Sequence, residues 1–538
     1  MRNNSIRVYD TGCGKQVEYC GKKLYSENPI DGVSRRVKAG IFSAETLYVI
    51  PSPLLGYGVE ALHRKAGDNV DIILIEHDSE LFKLYAEQDM KKYPAIFLPN
   101  AVSAQEYLSE IPYHKYRKIQ MLRISGGYRI HPEFYRSLEA KLREELRRYW
   151  RNRITIIHMF RHWIKNSILN LALNSMNVKE ITKGIKRPIV VFGAGESLEK
   201  CMEWVIKVRE RVTVLAVDTA LPALLAKNIF PDFVCALEAQ AANLQDFISS
   251  KQASFHLYGD VSSYPNIFRI LPGITWSFFS TIFAGNQFLK RCREYGLIRD
   301  SLPPLGSVGV TALELAHRLR QNGPIFLGGF DFSYRPGKTH SRGTYTHLLR
   351  MKASGRLTPM EWLPLREDAE QIPGKDNLPV VTDPVLKSYA ELLEERAQGC
   401  GNVYDIGTQG IAMQIPRIKN FEEFKYTVDK HEKRQEEAEL RDSCRLEDTR
   451  LFLSREYKLL AALKDKIIHH INTGTNAVPN HLRGDLEECD YLYLDFPDYK
   501  PGILEKPDLS FFKRILYSIS YYSRYLHQGI EHLNRYRT

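Results

Sequence analysis

Three carboxylates fall just past the ends of apolar runs: Asp218 after "VTVLAV", Glu238 after "FVCAL" and Asp331 after "PIFLGGF". If those runs are strands of an open α/β sheet, the acids stand at carboxyl ends, where such sheets bind ligands. Carboxylates there suit proton transfer or the holding of a divalent metal, and the residues alone leave the metal unknown. Asp218 has a second reading, as the cap of a helix beginning in "TALPALLA". Asp331 follows two glycines and is flanked by aromatics in "GGFDFSY", a costly arrangement for a core, which points to function.

Two glycine turns accompany these acids. "PIVVFGAGESLEK" runs from a β-branched strand into Gly193-Ala194-Gly195 and then a helix-like stretch. It is not a Walker A loop, which needs a lysine directly after its last glycine, whereas Lys200 lies five residues past Gly195. A dinucleotide fingerprint would need a third glycine where Leu198 stands. The turn still suits phosphate or ribose through amides at the Glu196–Leu198 helix start, although Glu196 would repel a phosphate brought close. "PPLGSVGVTALELAHRLRQ" is the second turn, with Gly306, Ser307 and Gly309 allowing close backbone approach and Ser307 serving as cap or ligand hydroxyl. The loop "RPGKTHSRGTYTH", 335–347, carries Lys338, His340, Arg342 and His347. It reads either as a solvated surface loop or as a cationic clamp in which His340 acts as a general base.

The elements that position these groups form an α/β pattern. Over 185–415, strands "PIVVF", "VTVLAV", "FVCAL", "SFHLY", "TWSFF", "PIFLG" and "NVYDI" alternate with helices, predicting a Rossmann-like, mostly parallel doubly wound sheet. Residues 1–150 read as a smaller α/β unit with strands at 46–50, 71–76, 95–99 and 118–124. There Gly56-Tyr57-Gly58 follows the first strand and Glu76 closes the second, an order that reads either as a Rossmann-like, methyltransferase-type half-fold whose acid would hold a ribose or as a degenerate scaffold domain. Residues 151–184 form a basic amphipathic linking helix with Ile157, Phe160, Ile164, Ile168 and Leu171 on one face. It either lies on a membrane surface or packs on the next domain. Residues 416–538 read as a helical C-terminal domain, with one stripe from Leu453 through Tyr457, Leu460, Leu463 and Ile467 to Ile471, and another of Phe512, Ile515, Ile519, Tyr522 and Leu526.

A chain of 538 residues exceeds one hydrophobic core, consistent with these several units. Its 43% apolar and 26% charged residues are those of a globular protein. No apolar run reaches a membrane span, so no integral membrane segment is expected, and the N-terminus has no signal-peptide core. The eight cysteines are scattered without a CxxC pair, which excludes a zinc ribbon and fits a reducing, cytoplasmic setting. The excess of 75 basic over 64 acidic residues, +11, reads either as scattered surface lysines and arginines or as a field steering anionic partners such as nucleotide sugars, nucleic acid or acidic protein surfaces.

Taken in order, "GAGESL", "AVDTAL" with "PALLAKNIFPDFVCALE", "GSVGVTALELA", "FLGGFDFSYRPGKTH" and "VYDIGTQGIAM" resemble the motility-associated (Maf) flagellin glycosyltransferases. Their core is shared with 6-hydroxymethylpterin diphosphokinase MptE-like proteins and, more distantly, is similar to bacterial sialyltransferases. The resemblance covers 185–415 well, and it implies a CMP-linked nonulosonic acid as donor and a serine or threonine of flagellin as acceptor. It implies no nucleic-acid partner and leaves the oligomeric state unknown. On that reading Gly193, Ala194, Gly195, Ser197, Asp218, Thr219, Gly306, Ser307, Tyr334 and Lys338 would bind the nucleotide sugar. Glu238 and Asp331 would stabilise the sugar cation or deprotonate the acceptor, and His340 or Asp331 would be the base. The chain departs from the family at Glu196, where proline is usual, and at Glu238, where aspartate is usual. It also has Asp383-Pro384 where related sialyltransferases place a histidine just before a helix. Two other expectations stand beside this one: a pterin-type diphosphokinase holding Mg²⁺ on Asp218, Asp232 and Asp331, and a non-catalytic flagellin-binding protein.

Overall fold

The computed structural model describes residues 6–67, 70–173, 179–271, 274–281, 286–298, 300–360, 368–431, 439–442, 446–473 and 478–535. The chain forms two compact units, Met1–Ile157 and His158–Thr538. The boundary expected at 150 lies inside a 42-residue helix, Pro132–Leu173, and the expected central and C-terminal domains fall in one unit.

In the first unit four parallel strands stand in the order Ala95–Phe97, Ile72–Glu76, Thr46–Pro51, Lys118–Met121, beside a small antiparallel sheet begun by Arg7–Asp10. Glu76 closes its strand, but not as a free acid. Its carboxylate is buried and accepts hydrogen bonds from Ser52 Oγ at 2.6 Å, Tyr135 OH at 3.0 Å, and the amides of His77 and Asp78 at 2.8 and 2.9 Å. A ribose would have to displace those donors, so the expected ribose-holding role does not apply to Glu76.

The second unit is built on an eight-stranded parallel sheet. Its strands are β1 (Ile189–Phe192), β2 (Thr213–Val217), β3 (Phe233–Ala236), β4 (His256–Asp260), β5 (Thr275–Ser280), β6 (Asp300–Ser301), β7 (Ile325–Gly328) and β8 (Val403–Asp405). Strands β1, β2, β3 and β7 are buried along their whole length, which explains their unbroken apolar sequences. The spatial order is β6-β5-β4-β3-β2-β1-β7-β8. From β1 the chain builds outward to β6, then returns to lay β7 on the other side of β1, so the strand order reverses between β1 and β7. Four helices frame that reversal: α1 (Leu198–Ile206), α2 (Val308–Leu319), α3 (Tyr345–Ala353) and α4 (Pro384–Cys400).

The far half of the long helix packs on this sheet. Phe160, Ile164, Ile168 and Leu171 are buried, and the side-chain amides of Asn166 and Asn170 donate to carbonyls of Ala239, Ser262, Val261 and Ser263 beyond β3 and β4. Of the two readings of this helix, packing on the sheet is the one realised. The helices Leu446–Thr473 and Leu509–Asn534 pack against each other through Leu453, Leu460, Leu463, Ile467 and the five residues of the second expected stripe. Tyr457 departs from its stripe at 38% exposure, while its neighbour Glu456 is 1% exposed. Glu456 turns inward because Arg291 meets it with two hydrogen bonds, Nε at 2.6 Å and Nη2 at 2.8 Å. The charged stretch 432–438 and Cys444 lie outside the described residues. Among the described residues no helix is long and apolar enough to cross a membrane.

Candidate active site

A cavity of about 470 Å³ opens at the carboxyl ends of β1, β2 and β7, at the point where the strand order reverses. Its walls include both glycine turns, the first residues of α2, and one face each of α3 and α4. The turns after β1 and β7 are locked together. Gly193 N–H donates to Gly328 O at 2.8 Å and Gly195 N–H to Gly329 O at 2.9 Å. A Cβ at Gly193 would meet Gly329 O at 2.6 Å, and one at Gly329, whose φ is +79°, would meet Gly193 O at 2.3 Å. Glycine is required here first to let one turn approach the other, and only then to leave room for a ligand.

Of the residues read from the sequence, Gly193, Ala194, Gly195, Thr219, Ser307, Asp331, Tyr334 and His340 line this cavity. Ser197, Asp218, Glu238, Gly306 and Lys338 do not. Ser197 lies behind the wall: its amide donates to Asp331 Oδ2 at 2.8 Å and its hydroxyl to Asp331 Oδ1. With Leu198 N–H bonded to Gly195 O as well, two of the helix-start amides expected to hold a phosphate, those of Ser197 and Leu198, are spent within the protein. Asp331 is buried, which raises its pKa against the opposing pull of Lys375 and of the two Ser197 bonds. Lys375 itself is fully buried and pairs with Asp405 at 2.7 Å. The Ser197–Asp331 and Lys375–Asp405 pairs thus tether the β1, β7 and β8 loops to one another.

Lys338 is not a clamp in the cavity. Its ammonium sits 3.1 Å from Glu196 and 2.9 Å from Glu199, and Arg335 also pairs with Glu196 through Nε at 2.8 Å. Glu196 therefore repels nothing, because two cations already neutralise it. Glu238 is exposed on the turn after β3, where it accepts from Gln240 N–H at 3.0 Å. It does not meet Asp331, as a shared catalytic role would require. Asp218 is buried and accepts from Thr219 N–H and Asn243 Nδ2, each at 2.8 Å. Burial, with Glu238 adding to it, raises its pKa to about 6 despite those bonds. Gly306 has φ +70° and packs on Tyr389.

Asp232 lies just before β3, at the opposite end of the sheet, held by Val214 N–H at 2.7 Å and Arg209 at 3.0 Å. The Asp218, Asp232 and Asp331 trio expected of a diphosphokinase is therefore not assembled. Among the described residues no group of three or more His, Cys, Asp and Glu side chains gathers as metal ligands would.

Several further polar side chains line the cavity, among them Thr339, His340, Thr346, Arg350 and Asp383. His340 accompanies Thr339, whose hydroxyl is 3.1 Å from its Nδ1. Burial first, then the charge of Arg350 and the nearby His347, lower its pKa to about 4, so it is neutral at pH 7 and free to accept a proton. Arg350 was missed in the sequence because "TYTHLLRMKA" reads as an ordinary surface helix. On α3, however, Thr346 and Arg350 are one turn apart and face the cavity together. Asp383 also lines it, and caps α4 by accepting from Val385 and Leu386 N–H at 2.9 Å each. The first residues of α2 form the facing wall. Ser307 precedes them, and no side chain caps that helix.

A doubly wound parallel sheet with its cavity at the switch point defines a Rossmann-like α/β protein, and open sheets of this kind bind ligands at that point. Residues 161–337 match the family model of the 6-hydroxymethylpterin diphosphokinase MptE-like proteins, so the chain carries an MptE-like domain. Across nearly its whole length, it shares the fold of the Maf glycosyltransferase from Magnetospirillum magneticum AMB-1. The match has a TM-score of 0.56 at 14% identity and covers 99% of this chain and 91% of that one. An uncharacterised protein of Treponema pallidum (strain Nichols) is 27% identical over 522 residues, covering 91% of this chain and 90% of the relative. A second protein of that organism is 29% identical over 85 residues, 16% of this chain and 40% of the relative.

Proposed function

We propose that this chain is a protein O-glycosyltransferase, moving a nonulosonic, sialic-acid-like sugar from a CMP-activated donor to serine or threonine of flagellin in the cytoplasm. The observation that carries the reading is the cavity at the β1/β7 switch point, whose lining includes a neutral His340. The MptE-like domain and the fold shared with a Maf glycosyltransferase point the same way.

Transfer breaks the bond between the sugar and the CMP phosphate, forms a bond to the acceptor oxygen, and releases the acceptor proton. The phosphate leaves as an anion while the sugar gains oxocarbenium character. The uncapped start of α2 offers amide donors and the positive end of a helix dipole to that anion. His340 takes the acceptor proton, a task for which it need not first lose one of its own. Asp331 is the weaker choice of base, because both its oxygens already accept from Ser197. A polypeptide acceptor also suits α3, which turns Leu348, Leu349 and Met351, each 44–52% exposed, to solvent beside the cavity wall.

Incubating the purified chain with CMP-linked nonulosonate and flagellin, then weighing intact flagellin, tests the reading. The expected result is a mass increase of one sugar per site occupied. An unchanged mass with every CMP-linked donor, together with thermal stabilisation by ATP·Mg²⁺ but not CMP, would refute it in favour of a kinase.

A further inference from the structure

We propose that Arg350 is the oxyanion-recognising residue of the cavity, gripping an anionic group of the donor side-on through its Nε and Nη2. Both atoms are buried and have no hydrogen-bond partner. They form the edge that offers two parallel N–H groups, the fork that matches the two oxygens of a carboxylate or phosphate. Two other arginines hold an acid by the same edge: Arg291 meets Glu456, and Arg335 meets Glu196, through Nε and Nη2.

The carboxylates around the cavity are already engaged. Asp331 accepts from Ser197, Asp383 caps α4, and Glu196 and Glu199 hold Arg335 and Lys338. A buried guanidinium without a counter-ion is costly, so the missing oxyanion is one that arrives from outside. The uncapped start of α2, at Ser307–Gly309, lines the same cavity and favours the same charge. Helix α3 fixes the geometry by placing Thr346 and Arg350 on its inner face and its leucines on the outer one. Only the identity of the ligand rests on the donor reading above. The oxyanion is either the nucleotide phosphate or the sugar carboxylate.

Calorimetric binding of CMP, cytidine and N-acetylneuraminate to the full chain, as wild type, Arg350→Gln and Arg350→Lys, separates these. Arg350→Gln should weaken the oxyanion ligand that Arg350 reads by ~100-fold while leaving cytidine unchanged, and Arg350→Lys should restore only part. A loss confined to CMP assigns the phosphate, and one confined to N-acetylneuraminate assigns the carboxylate. The ligand-free Arg350→Gln protein should melt no lower than wild type, because the substitution removes an unpaired buried charge. A melting temperature several degrees lower would reveal an internal partner and overturn the proposal. So would equal binding by Arg350→Gln and wild type. If wild type binds inorganic pyrophosphate through Arg350 but neither CMP nor N-acetylneuraminate, the oxyanion site stands and the CMP-sugar reading fails. If wild type binds none of these oxyanions, the oxyanion site fails as well.

Discussion

Replacing Asp218 with asparagine should make the protein more stable as the pH rises, relative to wild type. The Asp218 carboxyl is buried, and its pKa stands at about 6 against an ordinary 3.8. That gap of about 2.2 pH units, at 1.36 kcal/mol each, amounts to about 3 kcal/mol. The sign follows from which state holds the proton. Between pH 3.8 and 6 the unfolded chain has lost this proton and the folded chain has kept it, so stability present below 3.8 is lost as pH rises through 6. Asparagine has the same shape and no proton to lose. Its new N–H can meet Asn243 Oδ1, which is buried without a partner, if the Asn243 amide turns over. Asp246, whose pKa is raised to about 7 by burial and then by the charge of Asp218, would be relieved in the same direction. Urea titrations of both proteins from pH 4 to 7 should show the Asp218→Asn advantage growing by about 2.4 kcal/mol across the series, the rest of the gap falling below pH 4. Any fixed cost of repacking the amide cancels in that comparison. A difference flat to within about 1 kcal/mol over the same range would refute the assignment of a raised Asp218.

Three further outcomes follow from the geometry of the site. Gly329→Ala should cost about 3 kcal/mol or more in a urea titration, because its Cβ would sit 2.3 Å from Gly193 O at a positive φ; wild-type stability would disprove the close approach. Lys375→Met should cost about 3–5 kcal/mol by leaving Asp405 and Asp331 without their buried cation, and adding Asp405→Asn should recover part of it; thermal melts that match wild type would count against the tether. His340→Gln should lower kcat by about 10²–10⁴-fold if His340 is the base. Because burial lowers its pKa to about 4, the acid limb of wild-type kcat/KM should fall near pH 4; a limb near 6.5 that His340→Gln removes would show the imidazole to be solvated.

The sheet was legible because its strands are buried on both faces. Such strands are short unbroken apolar runs ended by glycine or an acid, and seven central strands stand where those runs are. The two-residue strand Asp300–Ser301 has no apolar run to betray it, and Arg7–Asp10, exposed along its length, shows no alternation. The glycine turns were placed correctly, but their purpose differs in part. Spacing marks where backbone must come close, not what it comes close to, and the nearest neighbour of Gly193 is Gly329. Charged residues were harder to read. Lys338 looks available in the loop 335–347, yet it is taken up by Glu196 and Glu199, acids far from it in sequence. Glu456 and Tyr457 exchange places on their helix because Arg291 and the Tyr491 hydroxyl lie opposite.

The same subtraction decides what the site can do. The motifs at the ends of β1, β7 and β8 are rich in polar groups, but most of them hold the frame: Ser197 binds Asp331, Asp405 binds Lys375, and Glu196 binds Arg335 and Lys338. Groups bound in this way cannot hold a substrate or move a proton without releasing the loops they join. Glu238 and Asp218 fall outside the cavity lining, and Asp383 is spent on a helix cap. Of the ionisable His, Arg and Asp side chains on the cavity wall, those not engaged in this way are His340, kept neutral by its surroundings, and Arg350, whose buried donors have no acid. A neutral base beside an unpaired cation is an arrangement for accepting a proton while an anion is held. That is the division of labour that transfer of a sugar from a phosphate requires, and it arises here from residues on a loop and a helix just outside the most motif-like turns.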